Sequence, residues 1–133
     1  PSLDMAYKLV DYAGHGRTKL SAHKAIYPGR KQFFRQFESG KMMRDKIMRA
    51  DETGPGEPQL VQVMRGGQRI RENCDGLGEA RDHTRRQLEA LPADYHRLES
   101  IGQEYPIAIS ESLVRDLQEL RALVSAPVRT ELS

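Results

Sequence analysis

Cysteine is nearly absent from this 133-residue chain. Cys74 stands alone, which excludes an internal disulfide, so an oxidising compartment offers the chain nothing. No apolar run exceeds five residues, too short for a membrane-spanning helix. No basic-then-apolar leader opens the chain, and no internal repeat or low-complexity tract interrupts it. What remains is a polar chain, with 38% hydrophobic and 30% charged residues and a mean hydropathy of −0.69. Its Leu, Ile, Val, Met and Tyr are spread along the whole length, which argues against wholesale disorder. The length allows one domain, and the expected setting is soluble and cytoplasmic, with no membrane contact. The chain opens Pro-Ser-Leu-Asp without Met. Met removal before Pro and a cut from a longer chain both account for that.

Lysine is missing after residue 46. Residues 1–50 carry eleven Lys/Arg against four Asp/Glu, whereas residues 51–133 carry ten Arg against fifteen Asp/Glu. Such asymmetry suits a first half that meets an anion, namely phosphate, nucleic acid or an acidic surface. It suits equally two halves that neutralise each other inside one fold.

The apolar period changes midway. Met5 to Tyr12 reads as a strand ending at Gly14-His15-Gly16, and Thr18 to Ser21 as a short return strand. Tyr27-Pro28-Gly29 reads as a turn. Lys31 to Phe37 and Lys41 to Arg49 read as strands joined at Ser39-Gly40, with some helical ambiguity in the second. Asp51 to Pro58 has a loop composition, and Gln59 to Met64 alternates as a strand before Gly66-Gly67. Leu77, Ala80, Thr84, Leu88 and Leu91 then fit one helical face, with Asp75 as N-cap and Pro92 as stop. Leu113, Leu117, Leu120 and Val124 form a second stripe after Ser110, with Pro127 beyond it. The expected class is α+β: antiparallel strands first, two or three helices after. The expected organisation is one domain over 1–133, with a basic strand-rich part at 1–70 and an acidic helical part at 71–133. Each one-sided helix needs a surface to cover.

Catalytic patterns are missing. His15, His23, His83, His96 and Cys74 show no metal-ligand spacing such as CxxC or HExxH. Ser21, Ser110 and Cys74 lack a nucleophile motif, and Asp4, Asp11 and Asp45 are isolated. No catalytic residue and no metal ligand is therefore assigned. The phosphate signal is better. Lys19, Lys24, Arg30 and Lys31 flank two glycine turns, a pattern suited to an anion nest, yet no P-loop or dinucleotide fingerprint accompanies them. Lys8 lies within an apolar strand. Strand alternation explains it as an outward Lys; aimed across an interface, it would meet a phosphate. The segment KQFFRQF interleaves Phe33, Phe34 and Phe37 with basic residues, as nucleic-acid stacking platforms do. Core and strand-face roles explain the same three residues.

One resemblance is specific. Tyr7-Lys8-Leu9-Val10, Lys19-Leu20-Ser21, Lys24, and Pro28-Gly29-Arg30-Lys31-Gln32 followed by Phe34-Arg35 resemble the C-terminal region of bacterial nicotinate phosphoribosyltransferases. The likeness continues through Leu60 to Gly67, Leu77-Gly78-Glu79-Ala80-Arg81, Leu91-Pro92, Tyr105-Pro106-Ile107, Ile109-Ser110 and Leu113, over residues 3 to 125. It implies a piece that completes an α/β sandwich beside an absent phosphoribosyltransferase barrel. The parent enzyme would join nicotinate to phosphoribosyl pyrophosphate, giving nicotinate mononucleotide and pyrophosphate with coupled ATP hydrolysis. Mg²⁺ and ATP would serve the parent, and this chain would hold no cofactor and be inactive alone. Its partners would be the upstream barrel and N-terminal segment of the same enzyme, and a second subunit in a homodimer. The resemblance places Lys8 where related enzymes reach a neighbouring subunit's phosphate. Charge and turn position add Lys19, Lys24 and Lys31. A free-standing interaction or nucleic-acid-binding module using the basic first half is the alternative; the family reading expects no nucleic acid.

Overall fold

The computed structural model describes residues 7–19, 26–70, 76–97, 102 and 104–125. The architecture is α+β, with antiparallel strands followed by two helices. The chain forms two compact units. One draws on Pro1–Lys31, Met48–Glu52 and Ile109–Ser133, the other on Gln32–Ile47 and Thr53–Ala108.

A four-stranded sheet dominates the second unit. Strands β3 (Lys31–Glu38) and β4 (Lys41–Arg49) join at Ser39 and Gly40, whose φ values are 49° and 76°. Two consecutive positive φ values define the type I′ turn that suits the twist of a hairpin. β5 (Glu57–Pro58) pairs with β3, placing Pro58 opposite Phe34; the edge position tolerates a residue without an N–H. β8 (Ile107–Ile109) lies beside β4, so the order is β5-β3-β4-β8. Lys31, Met48, Arg49 and Ile109, at strand ends, belong to the first unit. Phe34 and Met42 are the buried apolar residues among the described residues of the second unit.

Helix α1 (Leu77–Ala90) belongs to the same unit and starts at Gly76, which supplies no side-chain cap. It stops where Leu91 N–H bonds the carbonyls of Gln87 and Leu88, just before Pro92. The Lys41 ammonium donates to Glu89 O at 2.6 Å, a cation set against the negative end of the helix dipole. A 3₁₀ turn follows at Ala93–His96.

In the first unit, β1 (Asp11–Tyr12) and β2 (His15–Gly16) form a small hairpin turned by Ala13 and Gly14. Helix α2 (Glu111–Ser125) supplies most of this unit's core, with Leu113 fully buried and Leu117 nearly so, and Met48 at the end of β4 is buried as well. Ser110 Oγ accepts the Leu113 N–H at 3.4 Å, the expected N-cap bond.

Several boundaries differ from the sequence expectation. The first strand covers only Asp11–Tyr12 among the described residues, and its partner is His15–Gly16 rather than Thr18 to Ser21. Leu20 and Ser21 lie outside the described residues, as do Met5, Asp75 and Pro127. Of Gln59 to Met64 only Met64 is strand, within β6 (Met64–Arg65), which pairs with β7 (Gln68–Arg69) across Gly66-Gly67. A ladder extends only as far as both strands stay in register, and here a two-residue turn holds two pairs. The three-residue strand β8 was not expected; Pro106 O accepts the Asp45 N–H at 3.0 Å at its entrance.

Candidate functional site

The first unit contains an open cleft of about 540 Å³. The hairpin contributes Asp11, Gly14 and Gly16, the following turn contributes Pro28, Gly29 and Arg30, and the end of β4 contributes Arg49, Ala50 and Asp51. Helix α2 closes it with Asp116, Glu119, Leu120 and Leu123. Both arginines are thus brought to a cleft whose other charges are carboxylates. Arg49 Nη1 lies 3.8 Å from Asp116 Oδ2, and its Nε lies 3.3 Å from Asp51 Oδ1. That second approach is close but not aligned, so the buried Nε atom makes no hydrogen bond among the described residues.

A carboxylate fixes the loop beside this cleft. Glu52 Oε2 accepts the Arg49 N–H at 2.7 Å and the Ser110 hydroxyl at 3.0 Å, and Oε1 accepts the Ser112 hydroxyl. The two hydroxyls lie 3.0 Å apart and both serines are buried. Hydrogen bonds from Ser112 first, then from the Arg49 amide and Ser110, hold the Glu52 carboxyl below its usual pKa. A general base works best with a pKa near the working pH. Glu52 moves the other way, so the cluster is a clamp from the 49–52 turn to the start of α2 rather than a serine with its base.

The second unit has its own polar centre. Arg35 on β3 holds Asp45 on β4 with two parallel bonds, Nε to Oδ1 at 2.9 Å and Nη2 to Oδ2 at 2.7 Å. Tyr105 donates to Asp45 Oδ1 at 3.3 Å, and Gln87 on α1 accepts from Arg35 Nη1 at 3.4 Å. Tyr105 also meets Tyr95 edge-on, with ring centroids 5.7 Å apart. The pairing with Asp45 raises the Arg35 pKa further, and burial raises that of the Tyr105 phenol.

The expected phosphate lysines are dispersed. Lys8 and Lys19 are exposed on either side of the hairpin, and neither lines the cleft. Lys24 lies outside the described residues. The Lys31 ammonium donates to Tyr27 O at 2.6 Å and Gly29 O at 2.7 Å, and burial lowers its pKa. Arg30 reaches the cleft as a neighbour of the glycine turn. Arg49, Asp51 and Asp116 carried no signal in the sequence, because more than sixty positions separate Asp51 from Asp116. His23 and Cys74 also lie outside the described residues. Among the described residues, no group of three His, Cys, Asp or Glu side chains is placed to hold a metal ion.

A short antiparallel sheet and two helices, with a cleft in one unit and a polar clamp in each, define an α+β domain. Residues 55–117 match the family profile described as the nicotinate phosphoribosyltransferase C-terminal domain. The chain is 50% identical over 121 residues to nicotinate phosphoribosyltransferases from two strains of Mycobacterium tuberculosis, covering 91% of this chain and 26% of each relative. The crystal structure of human nicotinic acid phosphoribosyltransferase superposes with a TM-score of 0.70 at 26% identity, covering 87% of this chain and 26% of the human one. In sequence and in fold the chain matches the C-terminal region of nicotinate phosphoribosyltransferases. It spans about a quarter of the length of the curated relatives it matches.

Proposed function

We propose that this chain serves, within a full-length enzyme, the synthesis of nicotinate mononucleotide and pyrophosphate from nicotinate and phosphoribosyl pyrophosphate, with ATP hydrolysis coupled to the step. The 50% identity over 121 residues carries this reading. Mg²⁺ would neutralise the pyrophosphate leaving group in the parent enzyme. The 133 residues alone form no product in this reading, and the upstream part of the enzyme supplies the reacting groups. The enzyme works as a cytoplasmic homodimer.

Lys8 is the residue of this chain assigned to phosphate. Its exposure leaves the ammonium accessible to a partner, whereas the Lys31 ammonium is spent on turn carbonyls. The test is turnover of nicotinate with phosphoribosyl pyrophosphate, ATP and Mg²⁺. The full-length enzyme is expected to form nicotinate mononucleotide and the folded 133-residue chain to form none. Lys8→Ala in the full-length enzyme is expected to raise KM for the phosphoribosyl donor. Product from the short chain would refute its dependence on the upstream part, and an unchanged KM and kcat would remove Lys8 from the site.

A further inference from the structure

Apolar surface is distributed unevenly in the second unit. Among its described residues the buried apolar side chains are Phe34 and Met42, while Met43, Leu60, Val61, Val63, Met64, Ile70, Leu77, Leu88 and Ile107 are between 44% and 78% exposed. Seven of these nine fall in the 60–70 arm and α1; Met43 and Ile107 lie on β4 and β8. The arm is tied to the sheet at its base. Gln59 N–H bonds Phe33 O, and the Gln32 side-chain amide both donates to Leu60 O and accepts the Leu60 N–H, at 2.8 and 2.9 Å. Beyond Leu60 the backbone pairs with itself, through β6, β7 and the bond from Ile70 N–H to Val63 O. Val61 and Val63 alternate with Gln62 and Met64, so both faces of the ribbon carry exposed apolar groups. A lone two-stranded hairpin is marginal in water, and apolar patches of this kind mark surfaces meant to be covered.

We propose that the arm around β6–β7 is a docking element that inserts into an apolar recess of the upstream part of the same polypeptide. The proposal rests on the reading of this chain as the C-terminal quarter of a longer enzyme. Two observations choose that occupant over a second copy. The relatives extend over about four times the matched length, so a large surface of the same molecule is at hand. Among the described residues, exposed apolar side chains lie both in the arm and on α1, at Leu77 and Leu88, a broader surface than the arm alone. A surface this apolar needs a neighbour that never dissociates, and tethering within one chain provides that at any concentration.

The test is a photo-crosslink in the full-length enzyme, with Met64→p-benzoylphenylalanine. Irradiation is expected to give a product of single-chain mass, with the link mapped to a peptide upstream of residue 1. A product of two-chain mass would overturn the proposal in favour of a second copy. No product above that of the exposed control Glu111→p-benzoylphenylalanine would overturn it in favour of a free arm. Hydrogen exchange on the unmodified full-length enzyme is a second readout, independent of whether the variant folds. Amides 61–65 are expected to be protected at least tenfold over the 133-residue chain, and equal rates would overturn the proposal. Neither readout depends on turnover. An inactive enzyme with a single-chain crosslink would refute the proposed reaction and leave the docking intact.

Discussion

The guanidinium of Arg35 meets the carboxylate of Asp45 fork to fork, with bonds of 2.9 and 2.7 Å between adjacent strands. Asp45 is buried and its partner's side chain is only 20% exposed. Burial makes the pair costly to break, because either group alone would keep its charge away from water.

Asp45→Ala is therefore expected to destabilise the fold by about 3 kcal/mol, read as a lower denaturant midpoint. The double variant Arg35→Met with Asp45→Leu is expected to recover more than half of that loss, since it removes both charges. Equal losses in the two variants would mean that the pair contributes through packing alone.

Glu52 makes stability sensitive to acid. A carboxyl with a folded pKa below its unfolded value adds stability above the unfolded value and loses it as pH falls through the folded one. Hydrogen bonds from Ser112 first hold Glu52 below its ordinary 4.5. The unfolding free energy should thus be level near neutral pH in this respect and fall below about pH 4.5. Glu52→Gln is expected to flatten part of that acid slope and to lower stability at pH 7. An unchanged slope would show that the clamp contributes nothing in acid.

Two glycines should respond differently to alanine. Gly56 has φ +97°, and a Cβ there would collide with the Arg35 backbone carbonyl. Gly40 has φ +76° with open space around it. Gly40→Ala is expected to cost about 1 kcal/mol, the penalty for a left-handed L-residue. Gly56→Ala is expected to cost at least about twice that, because backbone must move as well. Thermal melts of the two variants check the order.

The sequence was most legible where local chemistry is sufficient. The strands KQFFRQF and KMMRDKIMR, the Ser39-Gly40 turn, the Ser110 cap and the Pro92 stop all rest on signals within a few residues. Patterning failed where pairing partners decide. Gln59 to Met64 alternates well, yet Leu60 bonds a glutamine side chain in place of a strand. The α1 stripe was read correctly as one-sided, but periodicity does not say whether a face is covered, and no residue of α1 is buried.

The sequence by itself determined the α+β class, the two amphipathic helices and the resemblance to one enzyme family, because those rest on local propensity and on motifs in fixed order. The tertiary structure alone decided which charges meet. Arg35 finds Asp45 ten positions away, Glu52 finds Ser110 and Ser112 about sixty positions away, and Arg49 finds Asp116 across a similar span. It also turned Lys31 inward onto carbonyls while leaving Lys8 exposed. Pairings of that kind depend on where the backbone brings distant residues, and no spacing along the chain encodes that.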